Sequence, residues 1–270
     1  MDSLRERIIV KKERNYFRLT LHTIYYLIVF GLIVWGFGGI QYKGIMQTAA
    51  ATIDALASGF IRPDLAFATN TSVDGLPYAI LETIAIAISG TFVSAIISIP
   101  FALLASQNIV GSKVSKIGKF IVTLIRTFPE LILALIFIGI VGPGAPAGIL
   151  ALGIHSIGML AKLFSESIES MDMGVKEALE SCGGSRFEVL FRAILPQVSP
   201  ELMSYTLYRF EINMRAAATL GLVGAGGIGA PLIFAIRSRA WPRAAIIIIA
   251  LIVTVTIIDQ ISGRIRKRLV

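Results

Sequence analysis

An all-α, polytopic membrane helical bundle of about six transmembrane helices is predicted by three features of this 270-residue sequence. Apolar residues make up 55% of it and charged residues 16%, with a mean hydropathy of +0.78, which is too apolar for an ordinary water-soluble domain. Apolar runs close to the roughly 20 residues needed to cross a hydrocarbon core recur along the whole chain. Lysine and arginine cluster in the short segments flanking those runs, which is how topology signals are placed.

The runs fall at approximately 21–40, 78–105, 120–141, 147–164, 202–222 and 244–261. The first follows a basic leader but is long enough to span and lacks a small-residue cleavage site, so it is read as a retained helix rather than a signal peptide. Pro77 suits the first turn of the second span, where a missing N–H costs nothing. Gly142-Pro143-Gly144-Ala145-Pro146 forms a tight turn between the third and fourth. Ser199 and Pro200 read as N-cap and first turn of the fifth, which carries Arg209, Glu211 and Arg215. Three basic clusters fall on one side of a six-span layout: Arg5, Arg7, Lys11, Lys12, Arg14 and Arg18; Lys113, Lys116 and Lys119; and Arg264, Arg266, Lys267 and Arg268. The positive-inside rule makes that side the cytoplasm and puts both termini there. The facing segment 41–77 carries only Lys43 and Arg62, whereas Arg237, Arg239 and Arg243 in the loop 223–243 run against the rule.

Composition also excludes several classes. The net charge of +8 resides in those flanks rather than along a polar face, so no nucleic-acid partner is expected. The single Cys182 allows no internal disulfide. His22 and His155 have no carboxylate or cysteine at metal-ligand spacing, and are read as interface or packing residues. The chain lacks G-x-x-x-x-G-K-[ST], so no nucleotide cofactor is expected in it.

The most informative stretch is 165–200, which reads as two short helices broken at Gly183-Gly184. Ser185 and Glu188 have capping-box spacing, Phe187, Leu190, Phe191 and Ile194 fall on one helical face, and Pro196 ends the second helix. Such a helix can simply lie against its own bundle or the lipid surface. Its wider pattern, however, resembles the EAA motif of ABC importer permeases, E-A-A, three residues, G, nine residues, I-x-L-P. Here Glu177-Ala178-Leu179 is followed after three residues by Gly183 and after nine more by Ala193-Ile194-Leu195-Pro196, with Leu179 and Ala193 departing from the pattern. The resemblance implies a coupling helix that docks on a cytoplasmic ATPase. Glu177, Ala178, Gly183, Gly184, Phe187, Leu190, Phe191, Leu195 and Pro196 would then contribute to it.

The run from Arg209 to Gly229 further resembles PhnE-type phosphonate permeases, and the likeness covers 75–262, the ABC type-1 (MetI-like) permease module. It divides the chain into a tail, first span and extracytoplasmic segment (1–74), the permease domain (75–262) and a basic C-terminal tail (263–270). It implies a bacterial inner-membrane subunit paired with a second permease copy, ATPase subunits that bind ATP and Mg, and an extracytoplasmic phosphonate-binding protein. Within that run, Gly224, Gly226, Gly227 and Gly229 satisfy G-x-G-x-x-G. No strand precedes them and no acidic residue follows about 20 positions later, so they are read as close packing or a helix break instead.

Charges inside a span cost about 2.5 kcal/mol or more near its centre and face protein or water. Arg126 and Glu130, and likewise Glu211 and Arg215, have i,i+4 spacing. Two readings fit: internal ion pairs, or an anion pathway to which Arg215, Glu211, Asn213, Arg209, Arg126 and Glu130 contribute, with Arg215 first. A secondary transporter or channel would call for inverted repeats, and a membrane enzyme for clustered catalytic groups. Neither is visible.

Overall fold

The apolar runs fold as helices, and no strand occurs among the residues that the computed structural model describes: backbone for 2–38 and 45–269, side-chain surroundings for 19–36, 38 and 49–269. The chain divides into two units, Met1–Asp54 and Ala55–Val270.

In the first unit, α1 (Asp2–Gly38) is one 37-residue helix. Its apolar stretch Leu19–Gly36 is long enough to cross a membrane, and Leu21, Ile24, Leu27 and Trp35 point outward, as lipid-facing side chains do. The leader is thus helical as well, though the side chains of its basic residues from Arg5 to Arg18, and Lys43, lie outside the described residues. The helix α2 (Ile45–Ile61) carries the boundary between the units.

The second unit continues with α3 (Leu65–Thr69), α4 (Leu76–Ala105), α5 (Gln107–Val110), α6 (Ser112–Thr127), α7 (Glu130–Val141), α8 (Ala145–Ser170), α9 (Gly174–Ser181), α10 (Arg186–Val189), a π turn at Leu190–Ile194, α11 (Leu195–Gly221), α12 (Gly229–Arg237) and α13 (Trp241–Arg266). Pro77 lies in the first turn of α4, as its missing N–H favours. The helices α4, α8 and α13 are each long and apolar enough to span, and α6 with α7 make a further crossing if taken as one broken span. At 27 residues, or about 40 Å, α11 has spanning length too, but its charges lower its hydropathy.

Three expectations are corrected. The third span is not one straight helix, because α6 and α7 meet at 77°. Pro129 lacks an N–H and forces Phe128 into an extended conformation, so the helical ladder breaks there. The fifth span begins at Leu195 rather than near 202, and Ser199 is not its cap; Pro196 occupies the first turn of α11 and Pro200 lies inside it. Pro196 therefore does not end a helix. The π turn lets Leu195 N–H donate to Leu190 O, five residues back, and the wider turn accommodates the proline. The segment 223–243, expected to be a loop, contains α12.

The core is built from small residues, since lipid offers no hydrophobic drive between helices and close backbone approach must supply the packing. The helices α4 and α8 run parallel: Gly90 meets Leu152 and Gly153, Ser98 Oγ donates to Ile157 O (3.3 Å) and Ser106 Oγ to Ser165 O (3.5 Å). Ala147, Ala151, Ala216, Ala217 and Ala225 fill the space at the α4 N-terminal end with Ile86 and Leu152. Phe164, Ile168 and Val198 fill the other end together with Val189, Ala193 and Ile194 of the 171–195 segment.

The glycine turn between α11 and α12 is tightly packed at Gly221, Gly226, Gly227 and Gly229. A Cβ on Gly229 would lie 2.0 Å from Ala218 O and 2.8 Å from the Gly221 backbone. Gly229→Val must push α12 off α11, and the melting temperature of the detergent-solubilised protein is expected to fall by about 5 °C. An unchanged melting curve would show that the contact is not a packing constraint.

Candidate functional site

The segment 171–196 is organised by its backbone. Gly183 takes φ +83°, a left-handed conformation that glycine adopts without Cβ strain. Its N–H donates to Glu180 O (3.0 Å) and that of Gly184 to Leu179 O (3.0 Å), so the last carbonyls of α9 are satisfied by a Schellman turn. At the start of α10, Ser185 Oγ accepts from Glu188 N–H (3.4 Å) while the Glu188 carboxylate accepts from Ser185 N–H and Oγ–H (both 2.8 Å), completing the expected capping box. Those two donors, the N–H first, hold the Glu188 carboxyl below the usual glutamate pKa.

The apolar stripe expected from Phe187, Leu190, Phe191 and Ile194 is split. Phe187 is 76% and Phe191 62% exposed, whereas Ile194 is buried and Leu190 packs against the core beside Val189 and Ala193. The π turn shifts the helical register after Leu190, which brings Ala193 inward. Leu179, where the EAA-like pattern has alanine, packs on the same core and fixes α9 from below. Glu177 and Ala178 stay exposed, while Lys176 Nζ donates to Asn108 O (3.0 Å) and Gln197 Nε2 to Asp172 O (3.2 Å). The result is a tethered two-helix platform whose outer face presents Val175, Ala178, Phe187 and Phe191, and whose second helix runs into α11.

Neither intrahelical ion pair forms. Because the helix breaks at Pro129, Arg126 and Glu130 belong to different helices; Arg126 is exposed, and Glu130 Oε2 lies 3.9 Å from His155 Nε2. His155 also places Nδ1 3.1 Å from Phe128 O, so it holds the break rather than standing alone. Glu211 and Arg215 choose partners on the antiparallel α13: Arg266 Nη2 donates to Glu211 (2.9 Å) and Arg215 Nη1 to Asp259 (3.1 Å). A neighbouring helix satisfies both charges without bending long side chains along one axis.

Arg209 and Asn213 occupy different surroundings, deep between helices. Asn213, with no exposure, donates through Nδ2 to Thr91 Oγ1 (2.8 Å) and Ser156 Oγ (3.0 Å), while its Oδ1 accepts from Ser156 Oγ–H (3.2 Å). Arg209, 3% exposed, donates through Nε to Ser156 Oγ (2.9 Å) and contacts Met159 Sδ (3.1 Å) through Nη1. Its Nη2 has no partner among the described residues. The six charged and polar residues proposed for a pathway thus fall into three places: the α6–α7 break, the α4–α8–α11 junction and the α11–α13 seam.

Sequence reasoning missed Thr91, Ser156 and Asp259. The last was detectable as an acidic residue late in an otherwise apolar run, opposite Arg215 in an antiparallel pairing. Of the arginines that ran against the charge rule, Arg243 is explained: Nε lies 3.4 Å from Asp64 Oδ2 and the guanidinium 4.9 Å from the Phe67 ring centre. Gly224, Gly226 and Gly227 all take positive φ, and Thr83 Oγ1 accepts from Ile228 N–H (2.7 Å) to pin their turn against α4.

Residues 98–270 match the family described as binding-protein-dependent transport system inner membrane component. The phosphite transport system permease protein PtxC of Stutzerimonas stutzeri is 38% identical over 189 residues, 70% of this chain and 69% of that protein. The phosphate-import permease protein PhnE of Mycolicibacterium smegmatis is 39% identical over 188 residues, which cover 69% of this chain but only 35% of that protein. Among solved structures, an inward-facing MetNI methionine ABC transporter matches with a TM-score of 0.62 at 21% identity, over 72% of this chain and 96% of that one, a likeness of fold.

Replacing Asn213 by leucine would strip partners from Thr91 and from Ser156, the acceptor of Arg209. Thermal unfolding in detergent should show a loss of about 1–2 kcal/mol, the scale of hydrogen bonds between membrane helices. Wild-type stability in Asn213→Leu would mean that the network is incidental.

Proposed function

The chain belongs to the family of binding-protein-dependent transport system inner membrane components, and on that premise we propose that it is the permease subunit of an ATP-driven importer of phosphorus oxyanions. The observation that carries the coupling half of this reading is the platform at 171–195. Two phenylalanines at i,i+4 are exposed on a helix whose other apolar side chains are buried or pack against the core. A capped, tethered helix of this kind suits an apolar pocket on a partner, because its ordering entropy is already lost before docking. The partner is an ATPase subunit carrying ATP and Mg. Its closure pushes on Phe187 and Phe191, and the continuous run into α11 carries the displacement to the Asn213 junction.

The cargo half rests on chemistry shared by the relatives. Phosphite and phosphate, named for two of them, and the phosphonates suggested by the Arg209–Gly229 run are all tetrahedral oxyanions. Planar guanidinium forks match such groups. Arg215 is half-exposed and commits only Nη1 to Asp259, which leaves its other nitrogens for a passing oxyanion. Release requires that this contact be weak, so selection falls to an extracytoplasmic binding protein. A second copy of the chain completes the pathway. The basic flanks support a cytoplasmic location for both termini. A channel or secondary transporter for a small anion is the other reading, but it gives the exposed phenylalanine pair no task.

The coupling reading is tested by affinity purification of the tagged chain from its native membrane under mild detergent. A Walker-motif ATPase is expected to co-purify with the wild type and to be lost from Phe187→Asp/Phe191→Asp, which folds normally because both side chains are exposed. If the ATPase remains with the double variant, the platform is not the docking site.

A further inference from the structure

The break between α6 and α7 lies against the middle of α8, and one side chain of that helix reaches both sides of it. A continuous helix would give the Phe128 carbonyl to the N–H of Ile132, but that N–H and the one of Leu133 both donate to Pro129 O (3.1 and 3.2 Å). The carbonyl is thereby freed inside a membrane span, where backbone groups need protein partners. His155 Nδ1 answers it from 3.1 Å, and must carry a proton to do so, because a carbonyl only accepts. The neutral ring then has a bare lone pair on Nε2. That atom faces the Glu130 carboxylate at 3.9 Å, with two acceptors opposed and no hydrogen bond between them. Phe128 caps α6 and Glu130 opens α7, so the two atoms His155 faces belong to opposite arms. Around the ring stand Glu130 on α7 and Arg209 on α11, whose Nη2 has no partner among the described residues. Arg126, at the end of α6, meets α8 through its backbone at Gly158 and leaves its side chain exposed. On α8 itself, Lys162 is paired with Glu166.

We propose that His155 is a proton-operated clasp on this break, holding Phe128 alone when neutral and holding Phe128 and Glu130 together when both ring nitrogens are protonated. The second proton turns Nε2 into a charged donor, and a small rotation of the Glu130 side chain closes the 3.9 Å gap to a charge-assisted hydrogen bond. In the neutral state the helical ladder does not bridge Phe128 and Pro129, so the arms pivot there at little cost. The clasp removes that freedom by tying the cap of one arm to the first residue of the other. Imidazole ordinarily changes charge between about pH 5 and 8, so modest acidification reaches it. The transport consequence rests on the importer reading above: if pivoting of α7 is part of the switch between outward and inward access, uptake slows as pH falls, because the locked state is the protonated one. The competing role is a fixed strut, in which neutral His155 caps the Phe128 carbonyl and never takes a second proton.

The chain has two histidines, which makes the ring directly observable. Full-length chain labelled with ¹⁵N-histidine, carrying His22→Gln and reconstituted in lipid bilayers, presents a single imidazole to solid-state NMR. At about pH 8 the one ring proton should sit on Nδ1, and by about pH 5.5 both nitrogens should be protonated. A neutral ring with its proton on Nε2, or a ring still neutral at the acid end, would overturn the clasp. The second measurement is ATP-driven uptake of phosphite, phosphate or phosphonate into proteoliposomes holding the chain and its ATPase subunits, supplied with the binding protein and buffered alike on both sides. His155→Asn keeps an N–H donor for the Phe128 carbonyl and has no second proton to gain. The ratio of its initial rate to that of the wild type should rise about tenfold from the alkaline to the acid end, the scale of one hydrogen bond to a charged group. Both proteins use the same ATPase and binding protein, so the pH dependence of those partners cancels in the ratio. A constant ratio is the mark of a strut and would overturn the proposal. If the wild type accumulates no oxyanion at any pH, the importer reading falls and the NMR result alone decides the clasp.

Discussion

Asn213 is the interaction on which the rest of this fold depends. In a hydrocarbon solvent a buried amide has no water to fall back on, so each of its hydrogen bonds must come from another helix. Thr91 of α4 and Ser156 of α8 supply them, and Ser156 in turn accepts from Arg209 one turn away on α11. That geometry admits only one register among the three helices. Small residues on either side of it, from Ala216 and Ala217 to Ala151, then pack without adjustment. A polar junction of this kind specifies structure where apolar packing against lipid cannot, because leucine on one helix is as content with an acyl chain as with another leucine.

The same helix links the two ends of the molecule. The helix α11 begins at the π turn beneath the exposed phenylalanines, passes the junction, and ends at the glycine turn that Thr83 pins against α4. On the proposed coupling, a push at Phe187 and Phe191 would reach the glycine turn through one continuous element rather than through a chain of side chains. The antiparallel seam with α13, held by Glu211–Arg266 and Arg215–Asp259, keeps that element from rotating freely. Bistable helix shifts of this kind are how packed bundles switch.

Much of this was legible in the sequence, and the failures are physical. Hydropathy located the apolar helices because lipid exposure leaves no alternative for those runs, and Ser185–Glu188 and Gly183 announced their caps through short-range backbone chemistry. The helix break at Pro129 and the start of α11 at Leu195 were misplaced because proline has opposite meanings in a helix interior and in a first turn, and a π turn has no composition signature. Of the two readings, the i,i+4 ion pairs do not form, because that spacing predicts neighbours only when no other helix offers a better partner. Arg266 and Asp259 did so from a helix more than 40 positions away along the chain.

On the proposed reading, this chain moves a phosphorus oxyanion only when a partner ATPase hydrolyses ATP on the platform side. The most direct measurement is accumulation of radiolabelled phosphite, phosphate and phosphonate in proteoliposomes containing the chain and its ATPase subunits, with the binding protein outside and ATP inside or omitted. Accumulation above the external concentration of at least one of the three, strictly dependent on internal ATP, is the predicted result. Uptake that merely equilibrates and is indifferent to ATP would contradict the account and leave the chain a channel or secondary transporter.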